Sequence, residues 1–458
     1  MTLLLIAALA ALPCRAADYD AAARSARKLL TELIAADTTN PPGDESRAVR
    51  IAAKNLKDAG IPFEVTDFAP GRQNIVARLK GSGPEKPILL LAHTDVVGVQ
   101  GQNWTTPPHE LTERAGLLVG RGVLDDLSAA AIGMEVMRLL AKDHAKLRRD
   151  VIMAWTGDEE SGGAGIRFLL DKRRPSVDAA LAINEGGGLR LGENGKLRIA
   201  EIQVAEKTYQ DYEFVTRGTT GHSSIPQADN AIYRLTRALS RVRSSTPPAR
   251  LIPATRAYFK GRAEVESAPV GDAMRAVAEA PRELPADAVA VIERDPIQAA
   301  MLRTTCVATM IQGGTRVNAL PAEARANINC RILPGETADD VQRWLINVVM
   351  DPQVDIHKAN DYGLADASPV DNEGMSAILK VVDKLWPGTP VVPAVSAGAT
   401  DSRHLRAAGI AAYGVNPVPT TEGDAMRAHG ADERIPAAGL RQGVEFLHLL
   451  VLELAGAK

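Results

Sequence analysis

The residues with the clearest capacity for chemistry are three consecutive acids, Asp158, Glu159 and Glu160, which follow a run of apolar residues at 151–155 with only Thr156 and Gly157 between. A solvated turn, with Asp158 capping a helix that begins near Ala164, would account for this triplet taken alone. The rest of the chain argues for more. The apolar stretch 88–92 ends in His93-Thr94-Asp95, and the stretch 179–183 ends in Asn184-Glu185-Gly186. Asp125 and Asp126 open the helical pattern 127–142, where the positive end of the helix dipole favours an ionised carboxylate. His429 comes late in the chain. Two histidines with several carboxylates suit zinc or a related divalent ion bound through nitrogen and oxygen, with positions left open for water. The carboxylates outnumber the needs of one catalytic zinc, which points to two ions sharing a ligand. A further glutamate outside the ligand set would then act as general base.

These residues need a scaffold that gathers strand ends. Helical patterns at 21–33 and 45–58 and strands at 63–66, 74–79 and 88–92 alternate as an α/β domain requires. In such open sheets ligands bind outside the carboxyl ends of the strands, where the acids and His93 fall. Side chains two apart on an extended segment share a face, so Asp95 can orient His93. From about Thr208 the pattern changes: strands at 212–216, 304–311 and 324–332 surround a polar loop, Gly218 to Ser224, and a stretch at 270–296 rich in Ala, Pro and charge. This is expected to be a separate α+β domain, residues 208–358, inserted between catalytic halves 17–207 and 359–458. The second half carries a helix at 374–385, a loop at 396–401, a strand at 411–415 and a closing helix at 437–454.

Residues 1–16 have the pattern of a secretory signal: an apolar core at 3–12, then Cys14-Arg15-Ala16 before Ala17. The expected location is therefore secreted or periplasmic, with a lipid-anchored reading of Cys14 ranked second because Pro13 precedes it. No other segment is long and apolar enough to span a membrane. A net charge of -3 provides no basic field for nucleic acid. Cys306 and Cys330, on neighbouring expected strands, are as readily a disulfide as two buried thiols.

Taken together, HTD at His93, GRGxxDD at Asp125, DEE at 158–160, NEGG at Glu185, GHSS at His222, GGTRVNALP around Asn318, RILPG at Arg331, GATD at Gly398 and the late His429 occur in the order of one family. The chain resembles the di-zinc metallopeptidases and amidohydrolases that include aminoacylase, glutamate carboxypeptidase, carnosine dipeptidase and succinyl-diaminopimelate desuccinylase. The resemblance implies that His93 and Glu185 hold one zinc, Glu160 and His429 the other, with Asp125 bridging. It implies that Glu159 is the general base, that Asp95 orients His93, and that the inserted domain dimerises and lends His222 to the partner subunit's oxyanion. Asn318, Arg331 and the Gly398 loop match substrate-binding positions, the last two where a substrate carboxylate is received. Leu127-Ser128 replaces a common Lys-Gly, and Gly98 a common proline; neither change removes a ligand. The expected function is cleavage of an amide next to a free carboxylate, in short peptides or N-acyl amino acids. An aminopeptidase or dipeptidase on the same scaffold and a non-catalytic, zinc-dependent peptide-binding protein are the alternatives. Ligand types leave cobalt and manganese open beside zinc.

Overall fold

In the computed structural model, which describes residues 17–360, 363 and 365–457, the chain builds two main sheets. The signal segment 1–16 lies outside the described residues. The larger sheet has ten strands, and four central ones run parallel in the order Arg149–Thr156, Glu85–His93, Leu181–Asn184 and Ala411–Gly414. Their register sets His93 opposite Thr156 and Gly414 opposite Asn184, so all four carboxyl ends open at one edge.

Burial on both faces explains why these strands read as apolar runs without alternation. Leu90, Met153 and Trp155 pack with the helices Tyr19–Ala35, Leu127–Lys142 and Gly439–Ala455. Leu89, Leu91, Ile152 and Ala154 point the other way, against Ile166, Leu169 and Leu405. Antiparallel strands Phe63–Ala69 and Arg72–Leu79 extend the sheet on one side. On the other side Leu197–Glu206 pairs with Gly188–Leu191 and Val391–Ser396, strands that have no counterpart in the sequence reading. Gly188–Leu191 is only four residues long, Val391–Ser396 holds a proline, and Leu197–Glu206 buries residues on both faces, so none shows a clean alternation.

The second sheet is antiparallel, in the order Thr305–Gly313, Glu323–Ile332, Thr208–Arg217 and Val354–Lys358. Tyr212, Phe214, Ala326 and Ile328 turn to one face, where the helices Ala231–Arg243 and Ala338–Val349 cover them. Thr337 and Asp340 cap the latter helix reciprocally. Cys306 and Cys330 are directly opposed in register, with Cα atoms 4.1 Å apart, and form a disulfide. The stretch 270–296, rich in Ala, Pro and charge, falls in a run of four helices between Pro253 and Leu302. Their own apolar core, built on Tyr258, Phe259, Met274 and Ile292, closes against Ile199 and Val392 of the larger sheet. Alanine richness favoured helix there more than the prolines opposed it, because Pro253 and Pro296 sit in first turns, where their missing N–H costs nothing.

Candidate metal centre

Four of the five donors lie at or just after a strand end or precede a helix, His429 lies in a turn, and the fold brings the five together. His93, last residue of its strand, is buried, and its Nδ1 lies 2.9 Å from the Asp95 carbonyl oxygen. That acceptor makes Nδ1 the protonated nitrogen and frees Nε2 as a ligand. Nε2 stands 2.9 Å from Asp125 Oδ1 and 3.8 Å from Glu185 Oε1. On the other side, His429 Nε2 is 3.1 Å from Asp125 Oδ2 and 3.0 Å from Glu160 Oε2. Two three-residue donor groups therefore form, His93/Asp125/Glu185 and Asp125/Glu160/His429. They share Asp125, which turns one oxygen to each.

The donor sets fit a divalent ion. Two atoms bound to one tetrahedral ion at about 2.0–2.1 Å are roughly 3.3 Å apart, which falls within the 2.9–3.8 Å separations within each group. Three carboxylates crowded on two imidazoles also need cationic charge. Burial works against the carboxyl of Glu185, and with Asp125 and Glu159 nearby its proton affinity is raised well above the ordinary value.

Adjacent acids differ in side-chain direction. Asp126 is fully buried at the start of the 127–142 helix, and neither of its oxygens has a hydrogen-bond partner among the described residues. Asp125 instead faces both histidines. Glu160 joins the His429 group, whereas the carboxylate of Glu159 belongs to neither. Glu159 is half-buried, and burial first, then the charges of Asp401, Asp125 and Glu160, raise its carboxyl well above the ordinary value.

Asp95 contacts more than His93. Its carboxylate is 3.7 Å from His93 Nδ1, beyond a hydrogen bond, and the orienting contact runs through its main chain. The carboxylate accepts the N–H groups of Glu159 and Glu160, both at 3.2 Å, and the Asn40 amide at 2.8 Å. Asp158 stands at φ 68°, a left-handed conformation that turns the chain out of the sheet. Arg72 grips it at 2.7 Å and also binds the buried Glu45, while Asp158 Oδ2 receives the Ala164 N–H at 3.1 Å. One carboxylate thus serves both the helix start, through Oδ2, and the ion pair with Arg72, through Oδ1.

Several supporting residues were not anticipated. Glu433 is buried; it binds Arg121 at 2.6 Å and accepts the N–H groups of Gly122, Leu124 and Asp125 at 3.2, 2.8 and 3.1 Å. Arg121 and Gln102 both donate to the His429 carbonyl, at 3.2 and 2.7 Å. Asp401 is buried, donor-bonded by Thr156 at 2.7 Å, and burial pushes its carboxyl up to about 7. An acid three residues past a glycine loop and a Glu four past His429 were visible, but their partners are about 245 and 312 residues away in sequence.

The remaining expected residues belong to neither donor group. His222 and Asn318 sit on facing segments of a small exposed ribbon, joined by the Ser223 N–H to the Asn318 carbonyl at 3.0 Å. His222 Nδ1 is 2.8 Å from Ser224 Oγ. Arg331 is half-buried on the strand Glu323–Ile332, its guanidinium 4.7 Å from the centre of the Tyr209 ring. The Gly398 N–H bonds Ser396 Oγ at 3.1 Å, and Thr400 anchors the same loop to Glu206.

A model of the peptidase family M20/M25/M40 matches residues 89–453, which span every donor of both groups. The chain belongs to that family. It is 31% identical over 382 residues to the Mus musculus N-fatty-acyl-amino acid synthase/hydrolase PM20D1, covering 81% of this chain and 74% of that protein. It is 27% identical over 374 residues to a probable carboxypeptidase S-like protein of Dictyostelium discoideum, covering 80% of this chain and 71% of the relative. Among solved structures, an M20 family metallo-carboxypeptidase from Sulfolobus solfataricus superposes with a TM-score of 0.68 at 17% identity, over 93% of this chain and 99% of that one. A Bacillus subtilis dinuclear metal-binding peptidase of the same family superposes with a TM-score of 0.61 at 14% identity, over 94% and 98%. As a member of M20, the chain is a metal-dependent hydrolase of the carboxypeptidase or aminoacylase type. No described helix is long and apolar enough to cross a membrane.

Proposed function

We propose that this M20 enzyme is an exported, di-zinc hydrolase of N-acyl amino acids. The observation that carries the reading is Asp125, whose two oxygens each face a different histidine-carboxylate group. His93 and Glu185 would hold one zinc, Glu160 and His429 the second, with Asp125 shared. Bound there, the ions supply polarisation of the amide carbonyl and acidification of a water.

The chain supplies the proton handling and the grip on the substrate. Glu159, outside both donor groups and raised in proton affinity by burial, takes the proton of the attacking water and passes it to the departing nitrogen. Arg331 receives the substrate carboxylate, a planar anion that a guanidinium holds in a fork, beside the loop of Gly398. His222, exposed on its ribbon with Asn318, reaches the oxyanion of a second copy's substrate in a homodimer. The signal-like segment 1–16 directs the chain out of the cytoplasm. Acyl substrates are favoured over peptides because the relatives at 28–31% identity include several named N-fatty-acyl-amino acid synthase/hydrolases.

The test is amine release by the mature protein from a panel of N-acyl amino acids and dipeptides, with and without chelator. Chelator-sensitive release, fastest from N-acyl amino acids, is the expected result. Release from dipeptides alone would move the assignment to a carboxypeptidase or dipeptidase, and release indifferent to chelation would overturn the metal reading.

A further inference from the structure

The polar face of the second sheet carries an arrangement that the metal chemistry does not use. Along Thr208–Arg217, Tyr209 and Asp211 point away from the helix-covered core, and on Glu323–Ile332 their direct partners are Arg331 and Asn329. Asp211 is a hub. Its Oδ1 accepts the amides of Asn327 and Asn329 at 3.0 and 2.8 Å, and its Oδ2 accepts the Asn360 amide at 2.9 Å and the Tyr209 hydroxyl at 2.7 Å. Burial works to raise the Asp211 carboxyl, and these four neutral donors outweigh it, leaving the group below the ordinary carboxylate value.

The anchored Tyr209 ring lies under Arg331. Among the described residues the Arg331 guanidinium has no hydrogen-bond acceptor and no carboxylate within ion-pair range, although the side chain is half-buried. Tyr209 and Asp211 favour its charge, while Arg403 and Lys207, the latter buried just before Thr208–Arg217, oppose it. A guanidinium stacked on a ring keeps its N–H edges in one plane and free for a planar anion. A phenol donating to a carboxylate is also held in one orientation and is made electron-rich, which strengthens its face for a cation.

We propose that Tyr209 and Asp211 are positioning residues that preset Arg331 for the substrate's carboxylate, and so set the enzyme's preference for acids over neutral analogues. The inference rests on the reading of Arg331 given above. Asp211 fixes Tyr209, Tyr209 fixes Arg331, and no group in this relay touches substrate except the guanidinium.

The experiment compares an N-acyl amino acid with its α-carboxamide in the metal-loaded full chain, measuring KM and kcat separately. For Tyr209→Ala, KM for the acid rises about tenfold, the effect of a partly desolvated cation–π contact. kcat stays within about threefold, as expected when binding common to ground and transition states is lost, and kcat/KM for the carboxamide does not change. Tyr209→Phe, which keeps the ring and loses the tether to Asp211, shows a smaller rise, and Tyr209→Trp restores much of the preference. Equal losses on acid and carboxamide, or a preference unaltered in all three variants, would overturn the proposal. Should Tyr209→Ala fail to fold, Tyr209→Phe carries the test alone. A wild-type enzyme indifferent to the carboxylate would instead refute the role of Arg331 itself, a failure seen before any variant is made.

Discussion

Replacing Glu433 by Ala should cost more stability than any surface change and should loosen metal binding at the same time. Both Glu433 and Arg121 are about 1% exposed as side chains and meet at 2.6 Å. Removing one partner of such a pair leaves a buried charge uncompensated, a loss of about 3–5 kcal/mol. The N–H groups of Gly122, Leu124 and Asp125 lose an acceptor in the same step. Adding about 1 kcal/mol or more for each orphan would overcount, because the loop can relax toward water, so about 4 kcal/mol is the expected loss. The loop so released carries Asp125, and Arg121 also holds the His429 carbonyl, so the Asp125/Glu160/His429 group should lose metal first. Urea unfolding of wild type, Glu433→Ala, Arg121→Met and the double variant gives the coupling, and elemental analysis gives metal per chain. The double variant should lose less than the two single losses combined, by about 2–3 kcal/mol. A loss under about 1 kcal/mol for Glu433→Ala, or strict additivity, would refute the assignment of this pair as the brace between the two loops.

Glu159→Ala should lower kcat at least about 100-fold with metal content unchanged; loss of metal would mean that base and ligand are exchanged. His404 is buried beside Arg403 and Arg167, accepts from Arg403 Nε at 3.2 Å, and burial with those charges pushes its pKa down to about 3. Its unfolded form takes up a proton below about 6.5, so stability is intact above that pH and falls as pH drops toward 3, by up to about 2 kcal/mol between pH 7 and 5. Unfolding curves of His404→Gln over this range should be flatter by that amount, and an unchanged slope would exclude a buried neutral imidazole. Cys306→Ser should destabilise the fold by about 3 kcal/mol, the loop-closure value for a separation of 24 residues, and a reductant should destabilise wild type but not the variant.

Much of the candidate site was legible in the chain because donors sit where local pattern changes. His93, Glu160 and Glu185 each follow an apolar run, and Asp125 precedes a helix; a buried strand that ends in an acid or imidazole is visible without knowing its neighbours. The closing partners were not. Glu433 and Arg121, Asp401 and Thr156, and Asn40 as the partner of Asp95 carry no local pattern that pairs them, and only burial turns each pairing into an obligatory one. Register likewise assigned roles between neighbours: Asp125 faces the histidines while Asp126 is turned into the interior, and Asp95 acts through its carbonyl on His93 and through its carboxylate on the 159–160 turn. The helices between Pro253 and Leu302 packed on the larger sheet for a comparable reason, since a string of amphipathic segments declares an apolar face but not the surface that will cover it. Residue type and short-range spacing determined the chemistry available to this protein. Which atoms could share that chemistry was decided by parallel pairing of distant strands, because separations of 2.9–3.8 Å between residues up to about 300 positions apart exist only once the sheet has formed.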